Sequence, residues 1–414
     1  MDSSRVYDIV VLGPTGYTGR LCAEHIVKNL PTNLKWAIAG RSLAKVENVA
    51  RELRTLNADR TEPDTLAVQL NQDELNTLAQ KTRLIINCVG PYHLYSTPVV
   101  EACATNGTHY VDATGETPWV KKIIEKYHET AKSSGAIVIP SLGIESAPAD
   151  ILTWMVVKRV REELSCDTKE VTCALEEMKS SGASGGTLNT ILTSFDALTI
   201  SEVLSSTKPF ALAASTPPKN VPSESFLSKV LGVRTVRDLG TLASSPTAIA
   251  DIAIVHRSST LMREFYGPRF YFRQFVRVRN NFRGVALHFL FMIGLALLCL
   301  PPVRWLLQRI IYQPGQGPTM EASQNDRVEY RAVATADDKT AAPKRVLGKL
   351  KAQSGMYVFT GLLMAEAAMV ILHNEEKVRR TSRGGIVTPA TLGQEFIDRL
   401  ENVGVTFESQ VLNN

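Results

Sequence analysis

The sequence predicts an α/β chain: a doubly wound parallel sheet first, a second α+β domain behind it, and a C-terminal segment returning to the first domain. Three observations carry this. Residues 7–140 alternate short β-branched apolar runs with longer, more polar segments of helical character. The rhythm changes near residue 150, and the closing stretch again carries apolar residues at helical spacing. Continuous apolar runs suit strands buried on both faces, and a helix between each pair of runs joins them in parallel.

The elements follow in order. DIVVLG at 8–13 precedes a helix over 18–29, LKWAIAG at 34–40 one over 42–56, and TLAVQL at 65–70 one over 72–80. LIINCVG at 84–90 precedes 96–106, THYVDA at 108–113 precedes 117–133, and AIVIPS at 136–141 closes the series. Residues 1–150 are therefore read as one dinucleotide-binding unit. Residues 151–380 are read as the second domain, opening with helical ILTWMVVKRVREEL and then EVTCALEEM, whose Val171, Cys173 and Leu175 alternate as in a one-sided strand. Segment 205–225 lacks periodicity and is expected to be a surface loop, and polar 313–345 a mobile excursion. In 381–414, Leu392, Phe396, Leu400 and Val403 predict a helix that packs back on the first domain.

With 414 residues, 44% hydrophobic and 21% charged, the chain has globular composition, which excludes disordered and collagen-like classes. A net charge of +5 is too small over this length to imply nucleic-acid binding. Six cysteines form no C-x-x-C pair, so neither a metal site nor a disulfide framework is expected. The N-terminus passes straight into an apolar strand without a signal-peptide pattern, so a cytosolic catalytic face is expected.

Gly13-Pro14-Thr15-Gly16-Tyr17-Thr18-Gly19 follows the first strand and opens the first helix. Such a turn supplies a tight reversal at Gly13, a site without Cβ for the pyrophosphate at Gly16, and close helix packing at Gly19. The amides of Thr15, Gly16, Tyr17 and Thr18 are the expected phosphate donors at the helix N-terminus. At the end of the second strand, Arg41 and Ser42 stand where an acidic residue would select NAD, so NADPH is the expected cofactor. Asn87, Gly90 and Pro91, past the fourth strand, are expected beside the nicotinamide half. Three polar loops, 87–92, 111–116 and 142–150, share that sheet edge; Asp112, Glu116, Glu145 and Asp150 lie on two of them, where helix capping is an equally ordinary use of a carboxylate.

Seven motifs together resemble the saccharopine dehydrogenase-like oxidoreductases, including the trans-acting enoyl reductases of polyketide lipid assembly. They are GPTGYTG, AGRS, NCVGPY, YVDATGE, GIESAPAD, SGGT at 184–187 and RGGIVTPATLG at 383–393, spread over nearly the whole chain. The resemblance implies a Rossmann domain, a second α+β domain, a returning C-terminal segment and a nicotinamide cofactor. Glu145 stands where relatives commonly carry Asp. A tricarboxylate substrate would demand several cations, yet Tyr92 to Gly115 contains neither Lys nor Arg, so an apolar or neutral substrate is expected. SSGASGGTLNT at 180–190 offers small residues and hydroxyls.

Residues 284–303 are apolar but for His288 among the first seventeen, and Pro301-Pro302 separate them from an amphipathic piece that continues to Ile311. Arginines and aromatic rings interleave upstream from Arg257 to Arg283. This pattern predicts that 284–312 attaches the chain to a membrane or lipid-droplet surface, on the cytoplasmic face of the endoplasmic reticulum or of a droplet. The expected reaction is NADPH-dependent reduction of an activated C=C in a hydrophobic small-molecule or carrier-bound acyl substrate, with a polyketide synthase as partner and a homodimer allowed. Tyr92, His93 and Ser146 are the candidate proton or hydrogen-bond donors. Imine reduction or amine oxidation, and a non-catalytic NADPH-binding lipid-surface role, remain open alternatives.

Overall fold

A computed structural model describes residues 5–218, 222, 225–310, 313, 315–338, 340, 342–382 and 384–413, and among these described residues fourteen strands make two seven-stranded sheets. Arg383 of the last motif, Ile311 and Tyr312 of the apolar stretch, and parts of 205–225 and 313–345 lie outside the described residues. In chain order the strands are β1 (Tyr7–Leu12), β2 (Trp36–Gly40), β3 (Asp64–Ala67), β4 (Thr82–Asn87), β5 (His109–Asp112), β6 (Ile137–Ile139) and β7 (Thr168–Lys179). There follow β8 (Val233–Val236), β9 (Gly240–Ala243), β10 (Tyr271–Arg277), β11 (Arg327–Ala336), β12 (Arg345–Ala352), β13 (Gly385–Ile386) and β14 (Thr406–Leu412).

The first sheet runs β13-β6-β5-β4-β1-β2-β3, with every pair parallel. Its apolar runs need cover on both faces, and Ile9–Leu12, Trp36–Ala39 and Leu84–Asn87 are buried. After β1 the chain builds outward through β2 and β3, then reverses to the other side with β4. Such a reversal opens a crevice at the carboxyl ends of β1 and β4, where doubly wound sheets bind ligands.

The second sheet runs β14-β12-β11-β7-β10-β9-β8 and is mixed, with β7 and β10 parallel. Two expectations are corrected here. Residues 313–345 contain β11, a central strand whose Val328, Tyr330, Ala332 and Ala334 point into the core. Its alternation was visible, but charged residues between the apolar ones masked it. β7 is not one-sided: it lies between β11 and β10, and Val171 to Leu175 are buried without a break. Segment 205–225 begins in a helix, Ile200–Ser206, and continues along the helix Ala248–Leu261, where the Arg257 guanidinium donates to the Leu212 carbonyl at 2.7 Å.

One hydrophobic core joins the two sheets. The helix Ala147–Leu164 crosses from one to the other and seats Val156 and Leu152 against Gly348 of β12, where a Cβ would fall 2.3 Å from Val156. The helix Met356–Ser382 lies against Tyr17–Asn29, and Gly361 meets the Cys22 backbone too closely for any side chain. A buried carboxylate in this helix, Glu366, is paired on both oxygens, with His25 at 2.8 Å and Arg399 at 2.7 Å, as burial requires. The segment expected to return to the first domain divides: β13 extends the first sheet along β6, whereas β14 extends the second along β12.

Candidate functional site

The crevice is built by the turn after β1 and the loop after β4. Gly13 takes φ +87°, and a Cβ there would meet Val89 at 2.9 Å. At Gly19 a Cβ would fall 2.2 Å from the Gly13 carbonyl oxygen, so the helix can approach the turn only without a side chain. Gly16 is different, because its Cβ would stand 3.4 Å from the nearest protein atom. That leaves the turn open at the point where a ligand phosphate would approach the backbone. One expected donor is engaged, however: the Gly16 amide closes the turn on the Gly13 carbonyl at 3.1 Å. The first amides of a helix lack intrahelical acceptors, so the helix that opens at Tyr17 still directs N–H groups and a positive dipole end at this spot.

Pro14 lies beside Gly40, which brings the end of β2 against the turn. Arg41 and Ser42 are exposed there, and the Arg41 guanidinium has no ion-pair partner among the described residues. An unpaired fork next to an anion cradle suits a second phosphate.

Asn87 is buried and turned inward. Its amide donates to Ser96 Oγ at 2.8 Å and to Tyr110 Oη at 3.0 Å, while its oxygen accepts from the Val89 amide at 3.1 Å. Its side chain shapes the loop expected beside the nicotinamide half. Asp112 is buried as well, and binds three neighbours: the Thr114 and Ser141 amides and the Tyr110 hydroxyl. Burial pushes its carboxyl up to about 7, against the pull of those donors.

Tyr92 and His93 open a one-turn helix above this network. Both backbone amides donate to Glu116, at 2.8 and 2.9 Å, and His93 Nδ1 lies 2.5 Å from Glu116 Oε2. The two side chains are almost wholly shielded, yet His93 Nε2 has no partner among the described residues. The Tyr92 hydroxyl donates to the Asn87 carbonyl at 3.4 Å and accepts from the Ala113 amide at 3.4 Å. Burial and the nearby Asp112 raise it well above the ordinary phenol range. In this arrangement Tyr92 supports the loop. Ser146 is buried, and its hydroxyl donates to the Glu145 carbonyl at 2.7 Å.

Glu145 itself lies against Gly115, where a Cβ would fall 2.2 Å from its carboxylate. Solvent reaches it, but the protein crowding the rest of its surroundings raises its carboxyl above the usual range. Asp150 is structural: it accepts from Ser258 at 2.6 Å and from the Ala390 amide at 2.8 Å, joining three segments.

The second domain reaches over the crevice with the helix Gly185–Ala197. Thr190 on this helix faces Gly90, whose Cβ position lies 3.9 Å from the threonine hydroxyl. Tyr357 pins the start of the helix, accepting from the Ser184 amide at 2.6 Å and bonding Thr187 at 2.9 Å, and its ring meets the edge of Tyr17. Residues 315–318 run across the glycine turn, with the Tyr17 hydroxyl donating to the Pro318 carbonyl at 2.6 Å. Neither Tyr357 nor this strap carried a local sequence signal, since each acts through partners distant in the chain. Among the described residues no cluster could hold a metal ion.

Residues 9–139 match the family model of the saccharopine dehydrogenase NADP-binding domain. The chain is an NADP-dependent oxidoreductase whose first domain is similar to that of the saccharopine dehydrogenases. Its cofactor is NADPH. This NADP-dependent oxidoreductase is similar over 98% of both chains to a Mycobacterium tuberculosis protein named as a trans-acting enoyl reductase, at 28% identity. A trans-acting enoyl reductase of Mycobacterium ulcerans is 26% identical over 99% of both chains. The saccharopine dehydrogenase (L-Glu forming) of Saccharomyces cerevisiae shares the fold, with a TM-score of 0.58 and 11% identity over 98% of this chain and all of that one.

Proposed function

We propose that this oxidoreductase reduces an activated C=C bond conjugated to a thioester in a hydrophobic acyl chain. The observation that carries the reading is the His93–Glu116 pair beside the nicotinamide loop, with Nε2 shielded and unpartnered. Bound NADPH supplies the hydride, which adds at the β-carbon of the substrate. The Thr15, Tyr17 and Thr18 region of the turn would hold the pyrophosphate, Arg41 and Ser42 the 2′-phosphate, and Gly90 and Pro91 the nicotinamide face.

The electron pair displaced by hydride moves onto the thioester oxygen, and a proton must reach the α-carbon. Protonated His93 donates it from Nε2. Glu116 accepts from Nδ1 throughout, so the imidazole keeps one orientation. The cation-free loop from Tyr92 to Gly115 favours a substrate without carboxylates. The relatives' printed name supports the same reaction, and its "trans-acting" part supports an acyl chain handed over by a separate polyketide-type synthase.

Loss of NADPH absorbance tests this directly. Turnover with a long-chain α,β-unsaturated acyl thioester, with label from deuterated NADPH at the β-carbon, is the expected result. Turnover only with a 2-oxo acid plus an amine would replace this reading with imine reduction.

A further inference from the structure

Two helices have the same mean hydropathy over their most apolar windows, 1.6, and opposite fates: Met356–Thr381 is 78% buried, whereas Asn281–Leu298 is 6% buried. The first is a core helix. The second leaves Phe282, Leu290, Ile293 and Leu300 in solvent, and the next helix, Pro301–Ile310, adds exposed Trp305 and Ile310. Apolar surface on this scale marks an interaction face.

Charge identifies the occupant. Between Glu264 and Glu321 the chain has no acidic residue but seven arginines, a local charge of +7 in a protein whose total is +5. Arg269, Arg273, Arg277 and Arg304 are paired with acids elsewhere in the fold. Arg279, Arg283 and Arg309 are exposed without an acidic partner among the described residues, and Arg309 stacks on Trp305 at 3.7 Å. We infer that helices 281–298 and 301–310 form a docking surface for an anionic lipid bilayer. The apolar residues enter the acyl layer while the free arginines and Trp305 meet the headgroups.

The same geometry fixes the depth. Gly284 packs against Val233, and His288 Nδ1 lies 3.0 Å from Ser244 Oγ, so the first two turns are tied to the second sheet. Only Phe289–Leu298 projects, about 15 Å of helix, or half of a hydrocarbon core of about 30 Å. Arg304 then bonds Asp196 at 2.6 Å, returning the chain to the body of the protein. The pair therefore enters one leaflet and comes back. This surface does not rest on the proposed reaction.

Flotation of the full-length protein with vesicles tests it, alongside NADPH titration as the readout of an intact fold. Binding to phosphatidylcholine–phosphatidylserine vesicles is expected, with little binding to phosphatidylcholine alone. Arg279→Gln with Arg283→Gln should weaken it roughly thirtyfold. Leu290→Glu with Ile293→Glu should abolish it, and NADPH affinity should be unchanged in both variants. Equal binding to both vesicle types overturns the anionic assignment. Failure to float, or a dimer in detergent-free buffer that the Leu290→Glu and Ile293→Glu pair dissociates, makes the face a self-association surface instead.

Discussion

His93 Nδ1 sits 2.5 Å from Glu116 Oε2, and the opposite ring nitrogen is shielded from solvent without a partner among the described residues. A carboxylate behind an imidazole fixes which nitrogen faces the reacting atoms. His93→Ala should therefore lower kcat roughly 10²- to 10⁴-fold while NADPH affinity stays within error. Glu116→Gln should lower kcat by a smaller factor, because Gln can still accept from Nδ1 but holds the ring less firmly. Steady-state kinetics with NADPH titration separate the two effects, and an unchanged kcat would reduce Glu116 to a loop anchor.

Arg41 offers an unpaired guanidinium beside the glycine turn. Arg41→Asp should weaken NADPH binding by about ten- to a hundredfold, the range for a lost charge-assisted contact, and NADH binding far less. Fluorescence titration with both coenzymes reads the ratio. Equal losses would mean that the 2′-phosphate is held elsewhere.

Two glycines of the turn should fail in different ways. Gly19→Ala places a methyl 2.2 Å from a backbone oxygen and should cost about 1–3 kcal/mol of stability, seen as a lower urea midpoint. Gly16→Ala has room in the free protein, so its midpoint should hold while NADPH affinity falls.

Asp150 gives stability a predictable pH dependence. Burial raises its carboxyl to about 7, so the folded state binds the proton more tightly than the unfolded chain does. Its contribution is complete below about pH 4 and is lost as pH rises towards 7, by up to about 4 kcal/mol. Asp150→Asn should flatten the profile of unfolding free energy against pH over that window. Chemical denaturation at several pH values measures the difference, and parallel profiles would contradict the assignment.

What could be read from the chain alone follows from range. Six of the seven strands of the first sheet, the glycine turn and Arg41 announce themselves locally, since apolar periodicity and turn chemistry are properties of neighbours in sequence. Asn87, Ser146 and Tyr92 were expected at the site because they are polar and at the right sheet edge. Their hydrogen bonds to the residues around them turn them inward, and no spacing rule reports which way a side chain points. β11 went unread because charged residues on its open face diluted the signal, and the helix 356–382 because a buried Glu366 and flanking charges hide its apolar body.

The last strand of each sheet lies within the final thirty or so residues, β13 at the edge beside β6 and β14 at the edge beside β12. A ribosome would thus have delivered the glycine turn, the histidine and the exposed apolar helices 281–298 and 301–310 long before either sheet could be completed. Until then both edges stay open to pairing with other chains, and the greasy helices are already outside. Nascent copies are at their most vulnerable to clumping in that interval, and a chaperone or an early landing on a bilayer would protect them most there.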